Sequence, residues 1–178
     1  MHPIDWQLIE ILQAEGKATY GDLARRVGMS QAAVHERVKK LESRGVVRGY
    51  RADVDPAAIG LPVVAFIFVD QEAGARRADL PRAFAEIRNV VACHSVAGQA
   101  AYVLKVRAHD TVGLERIINA VRSVEGVAQT RTTIVLSTWF EDRPMVPPAV
   151  PEELHEEPPH VGDGRWRLRR YNDVAHLR

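Results

Sequence analysis

The sequence predicts an α+β chain built in two parts, and three observations predict it. Three short apolar-periodic segments, each bounded by a capping residue or a glycine, follow one another before residue 46. From residue 62 onward, strand-like and helix-like segments alternate in the order βαββαβ, the ferredoxin-like pattern. A proline- and glutamate-rich stretch then closes the chain. At 178 residues and 46% hydrophobic content, one mid-sized domain or two small ones are possible, so the pattern decides.

In the first part, Ile4, Leu8, Ile11 and Leu12 recur at helical spacing, with Asp5 near the start and Gly16 past the end. Thr19 is the expected N-cap of a second helix that turns Leu23, Ala24 and Val27 inward and stops at Gly28. After the turn Gly28-Met29-Ser30, Ser30 caps a third helix over Gln31–Ser43, with an apolar seam of Val34, Val38 and Leu41 and a stop at Gly45. Val46–Val54, β-branched and aromatic residues around Gly49, reads as a β-wing, ending at the turn-like Asp55-Pro56. Three helices and a wing make a winged helix-turn-helix.

In the second part, Pro62–Val69 is a continuous apolar strand, and Asp79–Asn89 is amphipathic with Leu80, Phe84 and Ile87 on one side. Val90–Val96 and Ala101–Arg107 read as a hairpin around Ala97-Gly98-Gln99-Ala100. Asp110 caps a helix carrying Leu114, Ile117, Ile118 and Val121, and Val127–Phe140 is expected as one long last strand. The expected boundaries are 1–54 for the winged helix-turn-helix, 55–60 for a linker, 61–143 for the ferredoxin-like domain and 144–178 for the tail. Six of the ten prolines fall between residues 144 and 159, interleaved with Glu152, Glu153, Glu156 and Glu157, which predicts an extended or disordered segment. Beyond it, Arg165–Tyr171 is basic and aromatic, suited to a solvated tail or to a contact with nucleic acid.

A formal net charge of +1 hides a local imbalance, because residues 1–52 hold nine Lys/Arg against six Asp/Glu, while 53–143 hold ten against eleven. Positive charge is concentrated where the helices are. Cys93 is the single cysteine, which excludes an intrachain disulfide and a cysteine-rich zinc site and fits a reducing compartment, so a cytoplasmic location is expected. Met1–Asp5 lacks the blocks of a signal peptide, and the longest apolar run, Leu61–Val69, is too short to cross a bilayer, so no membrane partner is expected. No metal-ligand spacing, glycine-rich phosphate loop or other cofactor motif is visible.

On the third helix, Val34, Val38 and Leu41 occupy a narrow arc, and Ala32, Glu36, Lys39 and Ser43 project opposite, with Ala33, His35 and Lys40 on the flanks. A helix placed in the major groove needs that polarity. Gln31 and His35 suit hydrogen bonds to base edges, and Ala32 and Ala33 allow close approach or contact with a thymine methyl. Lys39, Lys40, Arg44, Arg48 and Arg51 suit phosphates, which supply affinity without sequence information. Arg37 lies at the edge of the seam, where an intramolecular ion pair competes with a DNA contact.

Ser30-Gln-Ala-Ala-Val-His-Glu-Arg-Val38, Leu41-Glu42 and Gly45-Val-Val-Arg-Gly-Tyr50 resemble the recognition helix and wing of the leucine-responsive/asparagine-regulator (Lrp/AsnC) family. Ile4-Asp5, Ile9–Leu12 and Leu23–Gly28 fit the same template, and Cys93–Gly98, Tyr102–Lys105, Gly126-Val127 and Thr130–Thr132 resemble the family's regulatory domain. Over roughly residues 3–142, the resemblance implies a sequence-specific DNA-binding transcription regulator acting on double-stranded DNA through Ser30, Gln31, Ala32, His35, Arg37, Lys39, Lys40 and Arg48. It further implies a homodimer, often assembled into tetramers or octamers, and an amino acid or related small metabolite bound near the glycine turn. By position that site is Gly98, with Gln99, Ala101, Tyr102, Thr130 and Thr132. Gln99 and Ala101 replace the acidic residues often found beside that glycine and tyrosine, so the turn lacks the natural partner of an ammonium group. A different effector, a site using other groups and no effector all stay open.

Two rivals share the architecture. Sirohaem decarboxylases have a histidine- and proline-rich pattern near the glycine turn, which is not found here; Cys93 and His94 are strand neighbours that point to opposite faces, so they do not converge on one site. A sensing module that does not bind DNA is opposed by the basic, polar face of the third helix.

Overall fold

The computed structural model describes residues 1–74 and 79–146; the tail from 147 onward, including Arg165–Tyr171, lies outside them. Each of the first three helices begins on a side chain that satisfies backbone donors left free in its first turn. For α1 (Pro3–Ala14), the His2 ring accepts from the Ile4 N–H at 3.2 Å while the Asp5 carboxylate accepts from the His2 N–H at 3.2 Å. For α2 (Tyr20–Val27), Thr19 and Asp22 exchange the same reciprocal bonds. This helix ends at Gly28, whose φ of 67° lies in the left-handed region that glycine adopts without steric cost. For α3 (Gln31–Ser43), the Ser30 hydroxyl accepts from the Ala33 N–H at 3.3 Å. Leu8, Leu23, Ala24, Val34, Val38 and Leu41 are buried together between the helices, the set expected from their spacing.

The wing departs from expectation: no strand forms anywhere between α3 and residue 63. The residues have strand-forming chemistry, but among the described residues no segment pairs with them, and a ladder needs two edges. The segment is instead pinned at its start, where the Val46 and Val47 N–H groups both donate to the Leu41 carbonyl and the Tyr50 hydroxyl donates to Glu42 at 2.9 Å.

The second part forms β1 (Val63–Gln71), α4 (Asp79–Glu86), β2 (Val90–Ser95), β3 (Tyr102–Ala108), α5 (Thr111–Arg122) and β4 (Val127–Ile134). The sheet order is β2-β3-β1-β4 with every neighbouring pair antiparallel, the ferredoxin-like arrangement. Alternation along the strands sorts the residues by face. Ala65, Ile67 and Val69 of β1 and Tyr102, Leu104, Val106 and Ala108 of β3 pack with Leu80 and Phe84 of α4 and Leu114, Ile117 and Val121 of α5. Phe66, Phe68, Val103, Lys105 and Arg107 point the other way, to a face that no helix among the described residues covers.

The last strand is shorter than the expected 127–140. Ile134 pairs with Ala65 and the Val135 N–H donates to Val64 at 2.9 Å, by which point β1 has reached its first residue and Pro62 has no N–H to offer. Beyond it, Leu136, Trp139 and Phe140 are largely exposed.

Phe84 is fully buried and meets Tyr102 edge-on at 6.0 Å, so it bridges α4 and β3. Phe84→Ala is expected to cost about 3–5 kcal/mol, read as an earlier midpoint in chemical denaturation.

Candidate functional site

The turn Gly28–Ser30 throws α3 across α2, and the buried seam fixes which side of α3 faces solvent. Gln31, Ala32, His35, Lys39 and Lys40 all lie on the exposed side, as does Arg48 just past the helix. Ser30 is exposed but its hydroxyl is committed to the cap. The half-exposed His35 ring meets the Tyr20 ring edge-on, with centroids 4.9 Å apart, and its Nδ1 is 3.7 Å from Glu36. Among the described residues, Lys39, Lys40, Arg44, Arg48 and Arg51 enter no ion pair, so their charges are available to phosphates.

Arg37 differs from the rest of this set. Its guanidinium donates to Asp5 at 2.8 Å, and the pair is only 29% and 14% exposed, so Arg37 ties α3 to α1. Tyr50 ties the segment after α3 back onto that helix through Glu42; partial burial, and then the Glu42 charge, push its hydroxyl up to about 12, so it stays a donor at every physiological pH.

In the second part, a groove of about 540 Å³ opens beside the turn between β2 and β3, lined by Val96–Ala100 with Phe68, Val103, Arg131 and Thr133. The turn is closed by the Val96 N–H donating to Ala101 at 3.1 Å and the Ala101 N–H donating to Val69 at 2.9 Å. Gly98 sits there with φ 151°, a conformation that side-chain-bearing residues rarely adopt.

Of the residues expected near this turn, Gly98 and Gln99 line the groove, and Ala101 closes the turn behind it. Tyr102, Thr130 and Thr132 are placed elsewhere. Tyr102 is 1% exposed in the core. Thr130 pairs with Val69 and accepts from Arg122 Nε at 2.9 Å, and Thr132 pairs with Ile67, so both threonines share the face that the helices cover. The groove is served by the alternate residues of the same strands: Val103, Arg131 and Thr133. For β3 the signal was available, since Tyr102, Leu104 and Val106 alternate with Val103, Lys105 and Arg107. On β4, Gln-Thr-Arg-Thr-Thr offers no apolar period by which to assign a face.

Arg131 is held by a forked contact to Asp70 on β1, at 2.9 and 3.4 Å. This puts a carboxylate beside a guanidinium at the groove wall, and the carboxylate comes from a strand that spacing around the glycine turn does not reveal. Cys93 packs half-buried against the core, where burial raises its thiol above the usual range, while His94 pairs with Val103 and is exposed on the opposite face. A larger groove of about 710 Å³, near the start of α4, includes Glu72, Asp79 and Glu125 in its wall and none of the expected residues. Among the described residues, no group of three or more His, Cys, Asp or Glu is arranged to hold a metal, and no helix is long and apolar enough to cross a membrane.

A capped helix pair with a free polar and basic face, joined to a ferredoxin-like domain with a groove at its hairpin turn, defines a DNA-binding transcription regulator with a ligand-binding module. The profile "Winged helix-turn-helix DNA-binding" matches residues 1–48, and "Lrp/AsnC ligand binding domain" matches residues 63–145. The chain is 41% identical over 144 residues to the HTH-type transcriptional regulator LrpA of Mycobacterium tuberculosis, covering 81% of this chain and 95% of the relative. It is 33% identical to the regulator FL11 of Pyrococcus horikoshii, over 78% of this chain and 91% of that one. A solved structure of a feast or famine regulatory protein from M. tuberculosis complexed with L-methionine superposes with a TM-score of 0.77 at 41% identity, covering 81% of this chain and 97% of that chain. The chain belongs to the Lrp/AsnC family of transcription regulators.

Substituting both Lys39 and Lys40 by alanine is expected to weaken binding to all duplex sequences and to reduce the slope of log affinity against log salt by roughly one per lysine that contacts a phosphate. Arg37→Ala should leave that slope unchanged and instead lower folding stability by about 1 kcal/mol, because it breaks a partly buried ion pair and leaves Asp5 behind. Salt titrations and denaturation curves on the same preparations separate the two effects.

Proposed function

We propose that the protein works in the cytoplasm as a homodimer or larger homo-oligomer that reads a pseudopalindromic DNA site, and that an amino acid or closely related zwitterion bound in the Gly98 groove modulates it. The observation that carries the DNA reading is the exposed edge of α3, with Gln31, Ala32 and His35 toward bases and Lys39, Lys40 and Arg48 toward phosphates. Two copies are favoured physically, because one small helix-turn-helix spans few base pairs and a two-fold pair sums two interfaces over a symmetric site. No catalytic step is part of this reading.

The effector reading rests on Asp70 and Arg131. An α-amino acid presents an ammonium and a carboxylate a few ångströms apart, so it exchanges one protein ion pair for two, with Asp70 taking the ammonium and Arg131 the carboxylate. Asp70 thereby supplies the negative charge that Gln99 and Ala101 do not. Two relatives point the same way: the M. tuberculosis protein above and a regulator from Neisseria meningitidis are both described as complexes with L-methionine.

Selection from random duplex DNA with the full-length protein, repeated with individual amino acids and followed by light-scattering mass, tests the whole reading. An enriched pseudopalindrome bound by an oligomer is the expected result; failure to enrich any sequence at low salt overturns it. Gln31→Ala and His35→Ala should each relax sequence preference at particular positions of the site. Arg131→Ala is expected to abolish the response to the amino acid while leaving DNA affinity without it unchanged, measured by binding titration with and without ligand.

A further inference from the structure

Residues 135–145 follow a path that the DNA-binding and ligand-binding readings leave unused. β4 is an edge strand, yet the Glu141 carboxylate reaches Lys105 and Arg107 on β3, with the Arg107 contact at 3.0 Å, so the chain recrosses β1 on the face opposite α4 and α5. Both cationic side chains are largely buried, at 16% and 17% exposure, and they hold Glu141 below the usual carboxylate range. Four residues later the chain arrives at the first helix of the DNA-binding part. There the Gln13 amide captures both backbone groups of Met145: its Oε1 accepts from the Met145 N–H at 2.8 Å and its Nε2 donates to the Met145 carbonyl at 3.1 Å. Met145 shares a groove with Ile9, Leu12, Val47 and Tyr50.

We propose that residues 135–145 are a strap that fixes the DNA-binding helices on the ligand-binding domain in the orientation needed to read two half-sites at once. Among the described residues, the 44–62 connection is the only other segment joining the two parts, and it contains no helix or strand. One such segment leaves the helices free to turn; a second attachment, at α1, removes that freedom. An amide that pairs with both backbone groups of one residue is a recognition of backbone, so the latch depends on Gln13 and on the path of the strap more than on the identity of residue 145. The orientation role rests on the DNA-binding reading, whereas the existence of the strap does not.

The test is hydrogen exchange on the full-length protein, with and without Gln13→Ala and Glu141→Gln. Gln13→Ala should expose the Met145 amide directly, and Glu141→Gln should accelerate the same amide although it does not touch it, because releasing one end slackens the other. If each variant affects only its own end, the strap is overturned. A second readout is binding to a full pseudopalindrome and to an isolated half-site. Either variant should lose roughly threefold or more on the full site with the half-site unchanged, and the double variant should lose no more than the worse single one. Equal losses on both sites, or additive losses, overturn the orientation role. Exchange behaving as expected in a protein that binds no DNA sequence leaves the strap standing and removes the DNA-binding reading.

Discussion

The one-sided covering of the sheet is the constraint on which the rest of the molecule depends. Both helices of the βαββαβ unit lie on the same face, so every strand residue is sorted by parity into core or open surface. On the covered side the result is a continuous apolar cluster around Phe84 and Tyr102. On the other side, Phe66, Phe68 and Val103 share a surface with Lys105, Arg107 and Arg131, a mixture of aromatic and cationic groups that a solvated sheet does not require. That face carries the groove at Gly98 and the crossing of residues 135–145.

The DNA-binding part depends on a different economy. Six buried apolar residues make a very small core, and the helices are reinforced by bonds that satisfy their own ends: His2 with Asp5, Thr19 with Asp22, Ser30 with Ala33. Asp5 acts twice, closing the first turn of α1 and receiving Arg37 from α3. One carboxylate therefore fixes both where α1 starts and how α3 lies against it. Apart from Lys17, the cations of this part that enter no ion pair among the described residues, from Lys39 to Arg51, are grouped along one helix and the segment that follows it.

The helices, the caps Thr19, Ser30 and Asp110, the βαββαβ order and the exposed face of α3 were legible in the sequence because local signals coincide there: an N-cap, an apolar period and a glycine agree at α2 and α3, whereas the His2 cap of α1 carries no such mark. Four features were not. The Val46–Val54 wing has the residue types of a strand, but whether a strand forms depends on a partner edge that composition does not encode. The end of β4 is set by where β1 begins, so Val135–Phe140, with every local mark of a strand, leaves the sheet for want of a neighbour. The placement of Thr130 and Thr132 turned on a single step of register, and a strand of polar, similarly sized residues gives no clue to its parity. Asp70 was missed for a further reason: it meets the groove residue Arg131 from the neighbouring strand, some thirty residues before the glycine turn.

Groove and strap meet on one strand, and this decides how a ligand and the DNA-binding helices can influence each other. Val103 lines the groove, while Lys105, the next residue on the same face, holds Glu141. Two residues of strand separate them by roughly 7 Å. A route through the hydrophobic core would require close-packed side chains such as Tyr102 and Leu104 to shift together, which dense packing resists. Across the open face, a ligand need only alter the contacts of one partly exposed cation row, where Arg131, Lys105 and Arg107 are held by carboxylates from other segments. The more exposed Asp70–Arg131 pair is the one most readily exchanged, whereas Lys105 and Arg107 are largely buried under Glu141. The sheet is thus close-packed on the side that defines the fold and carries its ion pairs on the side of the Gly98 groove and the crossing of residues 135–145.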